Sequence, residues 1–422
     1  MTSKESTYRS RVIDQELQDL LAAVGAIVIE GPKACGKTAT ASRYARTVVN
    51  LDRDVNAQLM ASVSPSELLK GETPVLLDEW QIAPQMWNEV RHQVDERSPH
   101  KGQFILTGSS TPDDDARRHS GAGRFARLQM RPMSILELGF SSAQVSFSAL
   151  MAGEKCDGQG DPLPVADLAR IIVRGGWPGS LELDDAAAAL VNLGYIDQII
   201  EVDIPRLAER RRDSVKLRRL MQSLARSVGN QISVSKLANE TAGDSATLDR
   251  ATVDIYLDEL TRLNIIEDLP AWNTHLRSRA SLTKVPKRMF MDPSLAVAAL
   301  GTGTNAILND LEYMGFLFEN MVVRDLRVLA QPLGGKVFYA RTHDGKEVDA
   351  VVELRDGTWA AFEVKLGASW IESGAQSLLK FASNVDKSKA GDPRALVVIV
   401  PDGYAYQRPD GVTVLPLSAL GV

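Results

Sequence analysis

Gly31-Pro32-Lys33-Ala34-Cys35-Gly36-Lys37-Thr38 lies between the apolar run Ala26-Ile-Val-Ile-Glu30 and a helix-like stretch. The octet fits GxxxxGK[ST] at every fixed position, and a strand before and a helix after give that spacing its physical meaning. Glycines let the main chain curl until successive N–H groups point inward, where phosphate oxygens would lie, and the following helix adds its positive N-terminal end. On this reading the segment from Gly31 to Ala39 cradles ATP. Lys37 reaches the β- and γ-phosphates, and Thr38 offers its hydroxyl to Mg2+.

Matching acids follow downstream. Pro74-Val-Leu-Leu-Asp78-Glu79 reads as a buried strand ending in two carboxylates. Asp78 is expected to hold Mg2+ through water, and Glu79 to orient or deprotonate an attacking water, which favours hydrolysis over phosphorylation of a small acceptor. Phe104-Ile-Leu-Thr107-Gly-Ser109 is another buried strand ending in hydroxyls, with Thr107 the first choice and Ser109 the second for sensing the γ-phosphate. Gly121-Ala-Gly-Arg124-Phe-Ala-Arg127 sets guanidinium groups behind a glycine segment, and such a planar fork suits a phosphate in its transition state. Arg124 is the stronger candidate. If it reaches a neighbour's nucleotide, hydrolysis needs a homo-oligomer. Cys35, beside backbone N–H groups that stabilise a thiolate, is expected to be open to alkylation and protected by ATP.

With 422 residues the chain exceeds one ordinary core, so several domains are expected. A net charge of −6 excludes an overall basic field, so any nucleic-acid contact must be a local patch. The charged start lacks a signal-peptide core, and the longest apolar run, residues 395–400, has strand length. A cytoplasmic protein without a membrane partner is the expectation. Two cysteines, Cys35 and Cys156, make no disulfide framework, and five scattered histidines make no zinc cluster.

From 24 to 110, short apolar runs alternate with helical stretches, the rhythm of a parallel sheet with crossover helices. Residues 142–165 read as a loop or insertion, and 166–228 as mostly helical. Within 229–275, two helices around a glycine-bearing turn suggest helix-turn-helix, with Asn264–Leu269 as the hairpin of a winged version. Val253, Tyr256, Leu257 and Leu260 form its core face, leaving Asp249, Arg250, Asp254 and Asp258 outside. That acidic face suits protein packing better than a DNA groove. Two basic stretches flank it. Residues 206–226 hold Arg206, Arg210, Arg211, Arg212, Lys216, Arg218, Arg219 and Arg226. Residues 271–291 hold Arg277, Arg279, Lys284, Lys287 and Arg288 without an acid, and are the better DNA candidate.

The other informative stretch is Glu347-Val-Asp349 through Gly357 to Glu363-Val-Lys365. Strand alternation puts Val348, Ala350, Val352, Leu354, Phe362, Val364 and Leu366 on one apolar face. A three-residue loop, Arg355-Asp356-Gly357, pairs Asp349 with Glu363 and gives Gly357 the left-handed position such loops need. Facing carboxylates bind Mg2+ well, and Lys365 points the same way. Glu319, upstream on a helix, is positioned by sequence to join them.

The ordered motifs GPKACGKT, LLDEWQ, FILTGSS and GRFARLQMRPMSILELG resemble the bacterial AAA-like P-loop ATPases that carry a C-terminal domain of unknown function related to restriction-type nucleases. Glu319, Asp349, Glu363-x-Lys365 and the accessory Gln376 resemble a PD-(D/E)xK core, and Arg341-Thr342 also matches. The resemblance implies Lys37, Thr38, Asp78 and Glu79 as the ATP-site residues, Arg124 as a candidate finger, and metal ligation by Glu319, Asp349 and Glu363. The expected class is a multidomain α/β protein: a P-loop ATPase domain at 1–140, a helical lid at 141–228, a winged-helix-like segment at 229–275 and a nuclease-like domain at 276–422. Two outputs stay open: an ATPase coupled to a DNA-binding nuclease-like domain, or a nucleotide-switched regulator with an inactive tail.

Overall fold

The computed structural model describes residues 8–109, 121–208, 212–242, 249–273, 285–341 and 347–422. They cluster into two compact units: the chain up to Pro132 together with Arg262–Asn264, and Met133–Thr261 together with Ile265–Val422. Nearly all of the segments 141–228, 229–275 and 276–422 therefore falls within the second unit.

The first unit is built on β1 (Ala26–Glu30), β2 (Thr47–Asn50), β3 (Val75–Asp78), β4 (Phe104–Gly108) and β5 (Phe125–Gln129). Their order is β2-β3-β4-β1-β5, and every pairing is parallel. The apolar runs of β1, β3 and β4 become central strands because nothing polar interrupts them before their last residues, and both faces are covered. Trp80, Trp87 and Val90 pack over the sheet, and the Trp87 ring stacks on Phe125 at 4.1 Å. Parallel pairing delivers all C-terminal strand ends to one side. Because β4 lies between β1 and β3, Glu30 pairs beside Gly108, and Thr107 beside Asp78. This is where open parallel sheets bind ligands. A helix over Asp14–Ala23 leads into β1.

In the second unit, residues 142–165 are more ordered than a loop. They carry the short strands β6 (Val145–Ser146) and β7 (Gly158–Gln159) and the helix Phe147–Ala152. The remaining strands are β8 (Lys336–Arg341), β9 (Glu347–Glu353), β10 (Trp359–Val364), β11 (Leu396–Val400), β12 (Tyr404–Gln407), β13 (Thr413–Pro416) and β14 (Leu420–Gly421). Six of these and β7 form a mixed sheet, β7-β12-β13-β11-β10-β9-β8, in which the β10–β11 and β11–β13 pairings are parallel and the others antiparallel. The helix Leu311–Ala330 packs on β8, β9 and β10, and the helix Ile371–Asn384 on β9, β10 and β11, so β10 is buried throughout. The β9–β10 register, Trp359 opposite Glu353 through Phe362 opposite Ala350, places Asp349 against Glu363. The three-residue loop is the expected one, with Leu354 N bonded to Thr358 O and Gly357 at φ 84°.

Helices Ser214–Arg226, Val234–Ala242 and Arg250–Arg262 precede a small bridged segment. Within it Lys287 pairs with Gln231 on one side and Leu269 on the other, and Ala271 pairs with Tyr339 of β8. Val253, Tyr256, Leu257 and Leu260 are buried, as their spacing requires, and Asp254 and Asp258 face outward. No helix among the described residues is long and apolar enough to cross a membrane.

Candidate nucleotide site and acid cluster

The Gly31–Thr38 loop is shaped by backbone geometry before any side chain acts. A Cβ at residue 31 would stand 2.1 Å from the Met130 carbonyl oxygen, so only glycine fits. Ala34 and Gly36 take left-handed conformations at φ 61° and 105°, which curl the loop. Arg11, itself buried, donates to the Cys35 carbonyl at 2.9 Å and to the Arg131 carbonyl at 2.8 Å, pinning the outside of the turn. Lys37 is 5% exposed and donates to the carbonyls of Gly31 at 2.9 Å and Pro32 at 2.8 Å. Both partners are neutral carbonyls, so neither is a counter-ion to the ammonium.

Asp78 gathers the motifs. The Thr38 hydroxyl donates to its Oδ1 at 2.8 Å, and the Thr107 hydroxyl donates to the same atom at 2.5 Å. One carboxylate thus joins the first helical turn after the loop to the ends of two adjacent strands. Its neighbour Glu79 is held at φ 55°, a conformation that costs a residue of this type about 1–3 kcal/mol and tends to mark functional positions. The Glu79 carboxylate accepts from the Gln81 amide and, at 3.3 Å, from the Ser109 hydroxyl. Ser109 therefore serves Glu79, while Thr107 serves Asp78. Gln81 escapes a reading by motif, although it follows Glu79 by two residues, and its Oε1 is buried without a partner. The hard oxygens of Thr38 and Asp78 fit Mg2+, which favours one or two carboxylates and completes its shell with phosphate oxygens and water.

Arg124 and Arg127 are each held in an ion pair, which leaves the expected role of Arg124 at a neighbour's nucleotide untouched, and one expectation, an accessible Cys35, is corrected. Arg124 precedes β5, while the phosphate loop follows β1. In parallel strands these are opposite ends, about 20 Å apart at ~3.3 Å per residue. Arg124 cannot reach its own chain's nucleotide, and it pairs with Asp95 at 2.8 Å. Arg127 pairs with Glu30 at 2.6 Å. Cys35 is fully buried, its thiol 3.7 Å from the Met130 carbonyl, so it is closed to alkylating agents in this conformation.

The second unit brings Glu319, Glu347, Asp349, Glu363 and Lys365 together, with a group that the sequence reading assigned elsewhere. Lys287 is 2% exposed, and its Nζ lies 2.6 Å from Glu319, 2.6 Å from Glu347 and 3.8 Å from Asp349. Lys365 donates to Glu363 Oε1 at 2.8 Å, and Val364 N donates to Asp349 Oδ2 at 2.8 Å. Burial, then the nearby Asp349 charge, raises Glu319 while Lys287 pulls it back down, and burial and Asp349 likewise push Glu363 up to about 7. Burial works to lower the pKa of Lys287, but Glu319, Asp349 and Glu347 outweigh it and hold the ammonium charged. Lys365 is likewise held up by Glu363 and Asp349 against burial. As arranged, these residues do not fit Mg2+, because an ammonium stands among the carboxylates. With Lys287 in place, no group of three acids, histidines or cysteines among the described residues is arranged to hold a metal ion.

Gln376 is not part of the cluster. It is exposed and donates to Glu372 at 2.9 Å. In the basic stretches, Arg212 pairs with Glu259 at 2.6 Å and Arg218 with Asp197 at 2.8 Å. Lys287 and Arg288 are buried in ion pairs, the latter with Asp268, so neither is offered to phosphate. Arg210, Arg211, Arg277, Arg279, Lys284 and Thr342 lie outside the described residues.

Residues 24–139 match the family model of an AAA domain. This segment is an AAA-like P-loop domain, and with the geometry of Lys37, Thr38 and Asp78 the match supports ATP binding. Residues 165–306 match one domain of unknown function, DUF8612, and residues 314–420 another, DUF4143, so the C-terminal match brings no nuclease assignment. No curated protein matches the chain. Among solved structures, it is similar to a Walker-type ATPase of Pyrococcus abyssi at 14% identity and a TM-score of 0.43, covering 71% of this chain and 97% of that one. A RuvB variant of Thermotoga maritima follows at 12% and 0.24, covering 60% and 88%. A signal-transduction ATPase with a tetratricopeptide repeat sensor from Pyrococcus horikoshii stands at 12% and 0.22, covering 76% and 48%. Likenesses this distant have no bearing on function.

Proposed function

We propose that the first unit binds and hydrolyses Mg-ATP, and that the chain is a nucleotide-switched regulator whose C-terminal body is catalytically silent. The reading rests above all on the meeting of the Thr38 and Thr107 hydroxyls at Asp78 Oδ1, on the same sheet end as Lys37. The loop N–H groups and Lys37 bind the phosphates, with Lys37 turning from the Gly31 and Pro32 carbonyls to the anion. Thr38 and Asp78 hold Mg2+, which supplies neutralisation of phosphate charge. Glu79, oriented by Gln81 and Ser109, accepts a proton from the attacking water. Thr107 senses the γ-phosphate through Asp78.

The regulator is favoured over DNA coupling by the ion pairs of Arg212 and Arg218, by the burial of Lys287 and Arg288, and by the acidic outer face of the helix Arg250–Arg262. Phosphate release by wild type and Glu79→Gln tests the chemistry. Turnover is expected to fall about 10²–10⁴-fold with ATP affinity retained. Equal turnover would remove Glu79 from the reaction. A rise in wild-type turnover on adding DNA would favour the coupled reading instead.

A further inference from the structure

The acid cluster of the second unit looks outward for a cation by sequence and finds one within the chain. Glu319, Glu347, Asp349 and Glu363 come from one helix and two strands, and Lys287 enters from the bridged segment beside them. Its placement is fixed by main chain. Lys287 N donates to Leu269 O at 3.0 Å and Lys287 O accepts from Leu269 N at 2.9 Å, while the following Arg288 exchanges bonds with Gly229 and Asn230 on the other side. The ammonium is thus delivered by paired backbone on both flanks rather than by a swinging loop. Two carboxylates lie 2.6 Å from it and a third at 3.8 Å. A separate observation shows that the cluster is built for positive charge. Glu363 is 7% exposed and faces Asp349 across the ladder, and its Oε2 has no hydrogen-bond partner. A buried carboxylate oxygen left in this way calls for a cation or a donor.

We propose that Lys287 is the resident cation of this cluster, taking the place that a hard divalent ion would fill, so that the second unit neither binds nor uses Mg2+ while the Lys287 segment is docked. Oxygen ligands on three elements are what Mg2+ or Mn2+ would require, but a metal and an ammonium cannot share one centre. Removing the ammonium should open the centre to the metal. The inference concerns the second unit alone, so it stands or falls apart from ATP hydrolysis.

The test is Mn2+ titration of the full chain in nucleotide-free buffer, followed by electron paramagnetic resonance. Wild type and Lys287→Arg are expected to show no saturable binding that Asp349→Asn removes. Lys287→Met is expected to bind Mn2+ saturably, and adding Asp349→Asn should abolish it. Thermal unfolding covers a variant that folds poorly: Lys287→Met should melt lower in chelator and recover with Mn2+, while wild type is unmoved. Asp349-dependent Mn2+ binding by wild type would overturn the proposal. So would a Lys287→Met chain that neither binds Mn2+ nor is stabilised by it.

Discussion

Each unit buries a lysine, and the two lysines are used in opposite ways. Lys37 is held by two neutral carbonyls, with Asp78 already accepting from two hydroxyls, so its charge is kept for an incoming anion. Lys287 is enclosed by Glu319, Glu347 and Asp349, so its charge is neutralised before any ligand arrives. The partners, rather than the lysine, separate a binding site from an internal salt bridge. A buried ion pair adds little net stability, but breaking one strands a charge.

Several substitutions would sharpen that contrast or break it. Lys287→Met should lower unfolding stability by about 3–5 kcal/mol in metal-free buffer, the cost of leaving buried carboxylates uncompensated. Denaturant unfolding monitored by circular dichroism reads it, and a loss near zero would mean that the cluster is wetter than its burial indicates. Glu363 adds a pH dependence. Its folded pKa of about 7 lies above the ordinary 4.5, so the folded chain holds a proton that the unfolded chain has released. Its contribution to stability is therefore full below about 4.5 and is lost as pH rises to about 7. Glu363→Gln should flatten the fall in unfolding midpoint across that window. Lys37→Met should be milder, about 0.5–1.5 kcal/mol, since only hydrogen bonds to two carbonyls are lost. Arg124→Ala should leave both the unfolding midpoint and ATP affinity unresolved from wild type, because its pair with Asp95 is exposed. A loss of turnover that grows with protein concentration would instead assign Arg124 to a neighbour's nucleotide.

The first unit is legible because its signals are local. Each apolar run ends in its functional residue, and parallel pairing brings Thr38, Asp78 and Thr107 together without knowledge of distant contacts. The hairpin register is legible for the same reason, since Gly357 suits the left-handed position of a three-residue loop, Arg355-Asp356-Gly357, and that loop sets Asp349 opposite Glu363. The end of the sheet on which Arg124 lies was also available, since a residue before a parallel strand is opposite to one after it. Lys287 was not legible. A run of cations without nearby acids reads as a solvated face, but its acids come from residues 319, 347 and 349, and only tertiary packing supplies them. Gln81 was hidden by its plainness, since only the left-handed turn at Glu79 points its amide back to the carboxylate.

The central claim is that Lys37 stands ready for a phosphate chain at the Asp78 end of the first sheet. Calorimetric titration of the purified chain with ATP and Mg2+ tests it most directly, with Lys37→Ala in parallel. The expected result is saturable binding by wild type, weakened about 30-fold or more in the variant, as truncating one side of a buried charge contact costs at least about 2 kcal/mol. Equal affinity in the two proteins, or no binding by wild type, would contradict it.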